Sequence, residues 1–271
     1  MIKQAIIPLA GLGTRLLPLT SVFAKELLPI NGKPGLEYIL EECIEAGIKE
    51  VIFIISKKKM MIKKYFYNDK FYKDIIKKKN DPNIIKEYKK ILKYKKMIKF
   101  VFQDKPLGTG DAVYKTKKFI TDKYFLMLLP DDLIIKKNCS KSMIAVHNKF
   151  KASVMASMKV NKNDVSRWGI YNIRKKIDKN NFIINNVVEK PSIKTSPSNN
   201  AVIGRYILPK TIFSKLKSLK PGKSGEFHIT DAIQALIEDD NQFIGHNFSG
   251  KYLDCGTMKG YIKSTLEISK Q

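Results

Sequence analysis

Residues 2–56 restrict the fold more than any other stretch of this chain. The apolar run at 2–9 reads as a buried strand. Residues 35–46, GLEYILEECIEA, place Leu36, Ile39, Leu40 and Cys43 on one helical face, and Gly47 stops the helix. EVIFIIS at 50–56 is a second, β-branched strand. Strand, helix and strand in this order predict a parallel pair joined by a right-handed crossover. MIKFVFQ at 97–103 adds a third strand. YFLMLLP at 124–130 is continuously apolar, as a central strand covered on both faces must be.

The second half is richer in strand patterns, at 152–160, 168–173, 181–190, 201–208 and 242–248. Helical patterns lie near 111–118, 140–149, 209–218, 229–239 and 257–268. Residues 57–96 are lysine-dense, and Asp81-Pro82 splits them into two helical pieces that read as a solvated excursion. No linker or repeat divides the chain, so a single domain over 1–271 is expected. The expected architecture is α/β and Rossmann-like. A central, mostly parallel mixed sheet is flanked by helices, with a smaller antiparallel layer in the second half.

Net charge enters the argument through its composition. The formal charge is +26, yet of 51 basic residues only Arg15, Arg167, Arg174 and Arg205 are arginine. Arginine is the better fork for phosphates and base edges, so a dedicated nucleic-acid role is not favoured. The excess charge should instead draw small polyanions by long-range steering. No secretory leader or membrane span is expected, because the sequence has no run of eighteen apolar residues. Cys43, Cys139 and Cys255 have no paired spacing, which points to a reducing, cytoplasmic setting rather than to disulfides or zinc.

The first apolar run feeds AGLGTRLLP. Glycines after a strand let backbone N–H groups approach a phosphate or base edge. The pattern lacks the Gly-Lys-Ser/Thr of a P-loop, and Leu16 stands where a dinucleotide fingerprint needs its third glycine. Thr14-Arg15 and then Lys25-Glu26 put two cations just past the turn, which suits a triphosphate. The run at 124–130 ends in Asp131-Asp132, where open α/β sheets bind ligands. A carboxylate beside a phosphate there is a natural Mg²⁺ ligand, and Asp254, in Leu-Asp-Cys-Gly, is a candidate second.

AGLGTRLLP, KELLP, PLGTG, LPDD, VEKP, VIGRYIL, GEFHITDAI and LDCG stand in the order found in bacterial UTP–glucose-1-phosphate uridylyltransferases, from residue 5 to about 262. The chain resembles that family of sugar nucleotidyltransferases. The resemblance implies a nucleotidyltransferase-type α/β fold, Mg²⁺, and formation of UDP-glucose and pyrophosphate from UTP and glucose 1-phosphate. It implies that Ala10, Gly11, Gly13, Thr14, Gln103 and Gly108 bind the nucleotide, with Arg15 and Lys25 holding the triphosphate. It implies Asp131 and Asp254 at the metal. Gly169, Glu189 and Gly204 would line the sugar within a strand-rich part at 160–208, and Lys190 would bind the sugar phosphate. Arg15, Lys25, Lys190 and Asp131 would form the catalytic set. Relatives assemble as homodimers or homotetramers, and neither nucleic acid nor membrane is an expected partner.

The departures lie mostly near the base. PLGTGDAV stands where relatives carry LGLGHAV, so Asp111 replaces a histidine. Ala24 replaces a proline, Trp168 a tyrosine, and His228 stands where glutamine is common. PLGTG is also similar to N-acetylglucosamine-1-phosphate uridylyltransferases, and glucose-1-phosphate thymidylyltransferases are a second alternative. Ala10-Gly11-Leu12-Gly13, in place of Gly-Gly-x-Gly, and Asp-Cys-Gly favour the glucose uridylyl enzymes. A non-catalytic nucleic-acid binder is the remaining alternative.

Overall fold

The computed structural model describes residues 1–222 and 225–270. The first apolar run forms β1 (Gln4–Pro8), with Ala5, Ile6 and Ile7 fully buried. Three short 3-10 turns and a small hairpin, β2 (Pro29–Ile30) with β3 (Lys33–Pro34), lead to α1 (Gly35–Glu45). β4 (Glu50–Ile55) then lies parallel to β1, from Gln4↔Glu50 to Pro8↔Ile54. The expected βαβ unit is present.

Residues 57–96 form three helices, α2 (Met60–Tyr67), α3 (Asp69–Lys79) and α4 (Pro82–Met97). The Asp81 carboxylate accepts from the N–H of Asn83 at 2.7 Å, and Pro82 opens α4. The segment is helical as expected, but in three pieces rather than two, with a further break at Asn68, and its inner side is not solvated. Ile62, Phe66, Tyr88, Ile91 and Tyr94 are buried, and Phe66 packs against Phe53 of β4 with ring centroids 5.8 Å apart. Most of the lysines between them are exposed, Lys90 alone reaching in to the buried Glu37 at 2.8 Å, and their number hides the amphipathic period in composition alone.

The chain continues through β5 (Ile98–Phe102), α5 (Thr109–Tyr114), β6 (Tyr124–Leu128), β7 (Asp132–Ile135) and α6 (Cys139–Phe150). β8 (Ser153–Lys159), β9 (Gly169–Lys176), β10 (Asn181–Glu189) and β11 (Asn200–Pro209) follow. The remainder is α7 (Ile212–Ser218), α8 (Ile229–Glu238), β12 (Phe243–Asn247), β13 (Lys251–Asp254) and α9 (Met258–Ile268).

Nine strands make one sheet in the order β5-β4-β1-β6-β11-β8-β12-β10-β9. Parallel pairing joins β5, β4, β1 and β6, and also β8 with β12. β6–β11, β11–β8, β12–β10, β10–β9 and β11–β9 are antiparallel. The expected mostly parallel sheet with a separate antiparallel layer is therefore corrected: antiparallel pairings are the more numerous, and the second-half strands extend the same sheet. The reason is physical. A continuous apolar run reports burial on both faces, not strand direction, and β11 is as buried as its antiparallel neighbour β6. Alternate residues feed two cores. Leu126 and Leu128 face the α1–α6 side with Leu36, Leu40 and Met143, while Phe125 and Met127 face Phe213, Ile233 and Leu236.

One charge sits inside this sheet. Arg205 on β11 is fully buried. Its Nε donates to both carboxylate oxygens of Glu42 on α1 at 3.1 Å, and its Nη2 to Glu42 Oε2 at 2.9 Å. Nη1 donates to the carbonyls of Leu129 (3.1 Å) and Gly204 (3.0 Å), and Nη2 also to that of Asp132 (2.6 Å). Glu42 Oε1 further accepts from the N–H of Ser140 at 3.1 Å and its hydroxyl at 2.5 Å. One ion pair thus joins α1, α6, β11 and the loop after β6. Arg205→Met should lower unfolding free energy by about 3–5 kcal/mol, because it strands a buried carboxylate. Urea denaturation checks this, and the Glu42→Leu, Arg205→Met double variant should recover much of the loss. A single-variant cost below about 1 kcal/mol would contradict it.

Candidate active site

β1 and β6 are parallel neighbours, so their following loops emerge at the same end of the sheet. After β1, Gly13 adopts φ 71°, and a Cβ there would lie 3.1 Å from the Thr20 side chain. The Thr20 hydroxyl donates to the Gly13 carbonyl at 2.8 Å, which pins the turn. Gly11 has nothing within 4 Å of where a Cβ would stand, leaving its backbone open to a ligand. A cavity of about 570 Å³ opens here. Ala10, Gly11, Gly13, Thr14, Gln103 and Gly108 all line it, together with Lys25 and Asp131.

Asp131 is the electrostatic centre. Its Oδ2 meets Lys25 Nζ at 2.8 Å and Arg15 Nη2 at 3.3 Å. Burial pushes the carboxyl up, but the Lys25 ammonium, its hydrogen bond and Arg15 bring it below the usual carboxylate range. Burial likewise works against the Lys25 ammonium, and Asp131 and Glu26 raise it above the usual lysine value. The second carboxylate arrives through a two-stranded ribbon absent from the sequence reading. β7 and β13 pair antiparallel with Asp132 opposite Asp254, and the Cys255 N–H donates to the Asp131 carbonyl at 2.8 Å. A Cβ on Gly256 would lie 2.8 Å from Arg15 Nη2, 2.8 Å from Asp131 Oδ2 and 3.1 Å from Asp254 Oδ1. The two carboxylates and Arg15 therefore converge on one point.

Asp132 does different work. Its Oδ1 accepts from the Tyr252 hydroxyl at 2.6 Å and its Oδ2 from the Gly204 N–H at 2.9 Å. Burial and the neighbouring Asp131 charge push it up to about 6, against the bond from Tyr252. Gly204 is needed because a Cβ would fall 2.6 Å from Leu129 Cβ.

The residues expected at the sugar form a second group. Gly169 stands opposite Glu189 in the β9–β10 register, and a Cβ on Gly169 would lie 3.1 Å from Glu189 Oε2. Lys190 has φ 45°, donates its N–H to the Trp168 carbonyl at 2.9 Å and has its ammonium 3.8 Å from Glu189. Glu189 and Lys190 are exposed and do not line the cavity. The Trp168 ring meets Tyr252 at 5.6 Å, so contacts lead from this group to Asp132. The structure brings Arg15, Lys25, Asp131 and Asp254 together and leaves Lys190 apart from them.

Some residues of the site escaped the sequence reading. Buried Glu26 accepts from Lys59 Nζ at 2.8 and 2.9 Å, so a lysine of the 57–96 segment braces the loop carrying Lys25. Nothing in KKK at 57–59 singles out the third lysine. Glu226 lines the cavity, as does His228, which the sequence marked only as a departure from glutamine, and between them Phe227 pairs with the glycine loop. Gly110 N–H donates to the Phe227 carbonyl at 2.7 Å, and Phe227 N–H to that of Leu107 at 2.8 Å. A Cβ on Gly108 would lie 2.5 Å from the Phe227 carbonyl oxygen. Among the described residues no three His, Cys, Asp or Glu side chains form a metal-holding group, and no helix is long and apolar enough to cross a membrane.

A family model described as nucleotidyl transferase matches residues 4–271. The UTP–glucose-1-phosphate uridylyltransferase 2 of Staphylococcus saprophyticus is 37% identical over 269 residues, covering 99% of this chain and 92% of the relative. A crystal structure of UDP-glucose pyrophosphorylase complexed with UDP-glucose superposes with a TM-score of 0.87 at 34% identity, covering 100% of this chain and 99% of that one. A UTP-bound UGPase from Acinetobacter baumannii gives 0.89 at 31% identity, covering 99% and 93%.

The Asp132 shift makes a pH prediction. Its folded value of about 6 lies above that of an unfolded aspartate, so the folded protein holds a proton the unfolded chain has released. That stabilisation is full below about pH 4 and is lost as pH rises towards about 6. Urea denaturation of wild type and Asp132→Asn over this range should show wild type losing stability relative to the variant as pH rises. Parallel curves would contradict the assignment.

Proposed function

This chain belongs to the nucleotidyl transferase family, and from that premise we infer that it is a UTP–glucose-1-phosphate uridylyltransferase. It transfers the uridylyl group of UTP to glucose 1-phosphate and releases pyrophosphate. The observation that carries the reading is the convergence of Lys25 and Arg15 on Asp131 at the edge of a cavity lined by the six residues expected to take a nucleotide. Identity of 37% along nearly the whole of a named uridylyltransferase, and likeness to UDP-glucose- and UTP-bound structures, support the substrate pair.

The charge balance supports Mg²⁺. Arg15 and Lys25 are opposed by Asp131 and Asp254, so the cluster alone offers a triphosphate little net attraction. Asp131 is held ionised, and both cations sit on one of its oxygens, leaving Oδ1 available. Two hard carboxylate oxygens fit Mg²⁺, which is usually held by one or two carboxylates plus substrate oxygens. Asp131 and Asp254 would hold it, and when bound it supplies counter-charge to the phosphates.

The residues themselves position and neutralise. The open backbone at Gly11 and the buried Gln103 side chain take the base. Arg15 and Lys25 turn from Asp131 to the triphosphate. Gly169 and Glu189 receive the glucose, with Gly204 on the Asp132 side, and Lys190, whose ammonium is exposed, reaches the sugar phosphate. A phosphate monoester with a second pKa of about 6 is already ionised at neutral pH, so the reaction needs no strong base. Its oxygen attacks the α-phosphorus of UTP and pyrophosphate leaves in line. The work of the protein is to bring two polyanions together. The buried free thiols of Cys43, Cys139 and Cys255 fit a cytoplasmic location, whereas assembly as a homodimer or homotetramer rests on the resemblance alone.

Pyrophosphate release from UTP and glucose 1-phosphate in Mg²⁺ tests the reading, and activity only with another pair would overturn it. Asp131→Ala should reduce turnover about a hundredfold or more. Lys190→Ala should raise KM for glucose 1-phosphate about tenfold with little change in that for UTP. Equal effects on both substrates would remove Lys190 from the sugar phosphate.

A further inference from the structure

Asp111 stands where the resembling family carries histidine, and a carboxylate beside a triphosphate site needs a reason. Its side chain does not reach the Lys25–Arg15 cluster. Asp111 Oδ2 instead accepts from Gln103 Nε2 at 2.7 Å, and the same nitrogen donates to the Gly108 carbonyl at 3.0 Å. Its other oxygen lies 3.7 Å from Lys115 Nζ, one helical turn on. Gln103 is buried, lines the cavity and is fixed at its backbone by an N–H bond to the Ile55 carbonyl at 2.9 Å.

These contacts decide which way round the carboxamide sits. A carboxylate and a backbone carbonyl can only accept, so the group between them must be the NH₂. Oε1 is then the end left over. Among the described residues no hydrogen bond to it is formed, and it is not among the buried side-chain atoms that lack a partner. A fixed acceptor on the cavity wall asks for an N–H on the ligand. Uracil offers one at N3. Against the ring nitrogen N3 the two pyrimidines differ: cytosine, whose own N–H donors lie on the exocyclic N4, presents there a bare acceptor that would face Oε1 lone pair to lone pair. With the carboxamide reversed, cytosine would be the better match.

We propose that Asp111 is a positioning residue that sets base selectivity by locking the Gln103 carboxamide with Oε1 towards the nucleotide. The proposal rests on the functional reading above and adds to it the group that makes the site choose uracil over cytosine. Gly108 holds the same nitrogen with one neutral bond, so loss of Asp111 weakens the lock without abolishing it. The carboxylate makes the stronger of the two bonds, because a charged acceptor binds an N–H more tightly.

The test is the ratio of kcat/KM for UTP to that for CTP, read by pyrophosphate release with glucose 1-phosphate in Mg²⁺. Asp111→Ala should lower this ratio about tenfold, with KM for glucose 1-phosphate unchanged. Asp111→Asn can still accept from Gln103 and should keep most of the wild-type ratio, which a merely structural loss would not explain. Thermal melting of each variant identifies any that fails to fold, and the Asp111→Asn ratio alone then decides. An Asp111→Ala protein that folds and stays as selective as wild type overturns the proposal and leaves the functional reading intact. So does an Asp111→Asn protein whose ratio collapses. A wild type that uses CTP as readily as UTP overturns both.

Discussion

The buried ion pair between Arg205 and Glu42 is the interaction on which the rest of the structure depends. A lone guanidinium in the middle of a sheet would be prohibitive, and this one is tolerated because its donors are spoken for. The partners are informative. Glu42 belongs to the helix of the first βαβ unit, whereas the carbonyls of Leu129 and Asp132 flank Pro130-Asp131. The same guanidinium that joins β11 to α1 therefore fixes the loop that presents Asp131. Fold stability and site geometry share one group here, and a lysine could not replace it, having no planar fork to reach carboxylate and carbonyls together.

Around that fixed loop the charges are arranged in near-neutral sets. Lys25 and Arg15 face Asp131 and Asp254, and Glu26 is neutralised by Lys59 beneath them. Such a site avoids burying a large net charge in the free protein. A polyanion with its own divalent counter-ion can then enter by exchanging partners rather than by paying for a new desolvated charge. The surplus of positive charge elsewhere on the chain acts at longer range, raising the local concentration of anionic substrates.

Much of this was legible in the residues, and the exceptions have physical causes. Periodicity located the strands and helices because burial writes it directly. It could not give the direction of β11 beside β6, since both faces of both strands are covered. β7 and β13 are only four residues each, too short for a pattern, yet they bring Asp131 and Asp254 together. Arg205 left a trace, as a charge inside the apolar run AVIGRYIL, but its partner 163 residues away did not. Lys59 is indistinguishable from its neighbours until the 3-10 turn before α2 points it inward. Asp111 was visible as a departure, and only its bond to Gln103 gives it a purpose.

The proposed cation site shared by Asp131 and Asp254 faces the proposed uridine triphosphate pocket. Anomalous diffraction from crystals grown with UTP and Mn²⁺ addresses it directly. A manganese peak is expected about 2.1 Å from a carboxylate oxygen of each aspartate and in contact with phosphate oxygens. A metal bound to UTP without either carboxylate, or a triphosphate lying away from the Gly11–Thr14 loop, would contradict it.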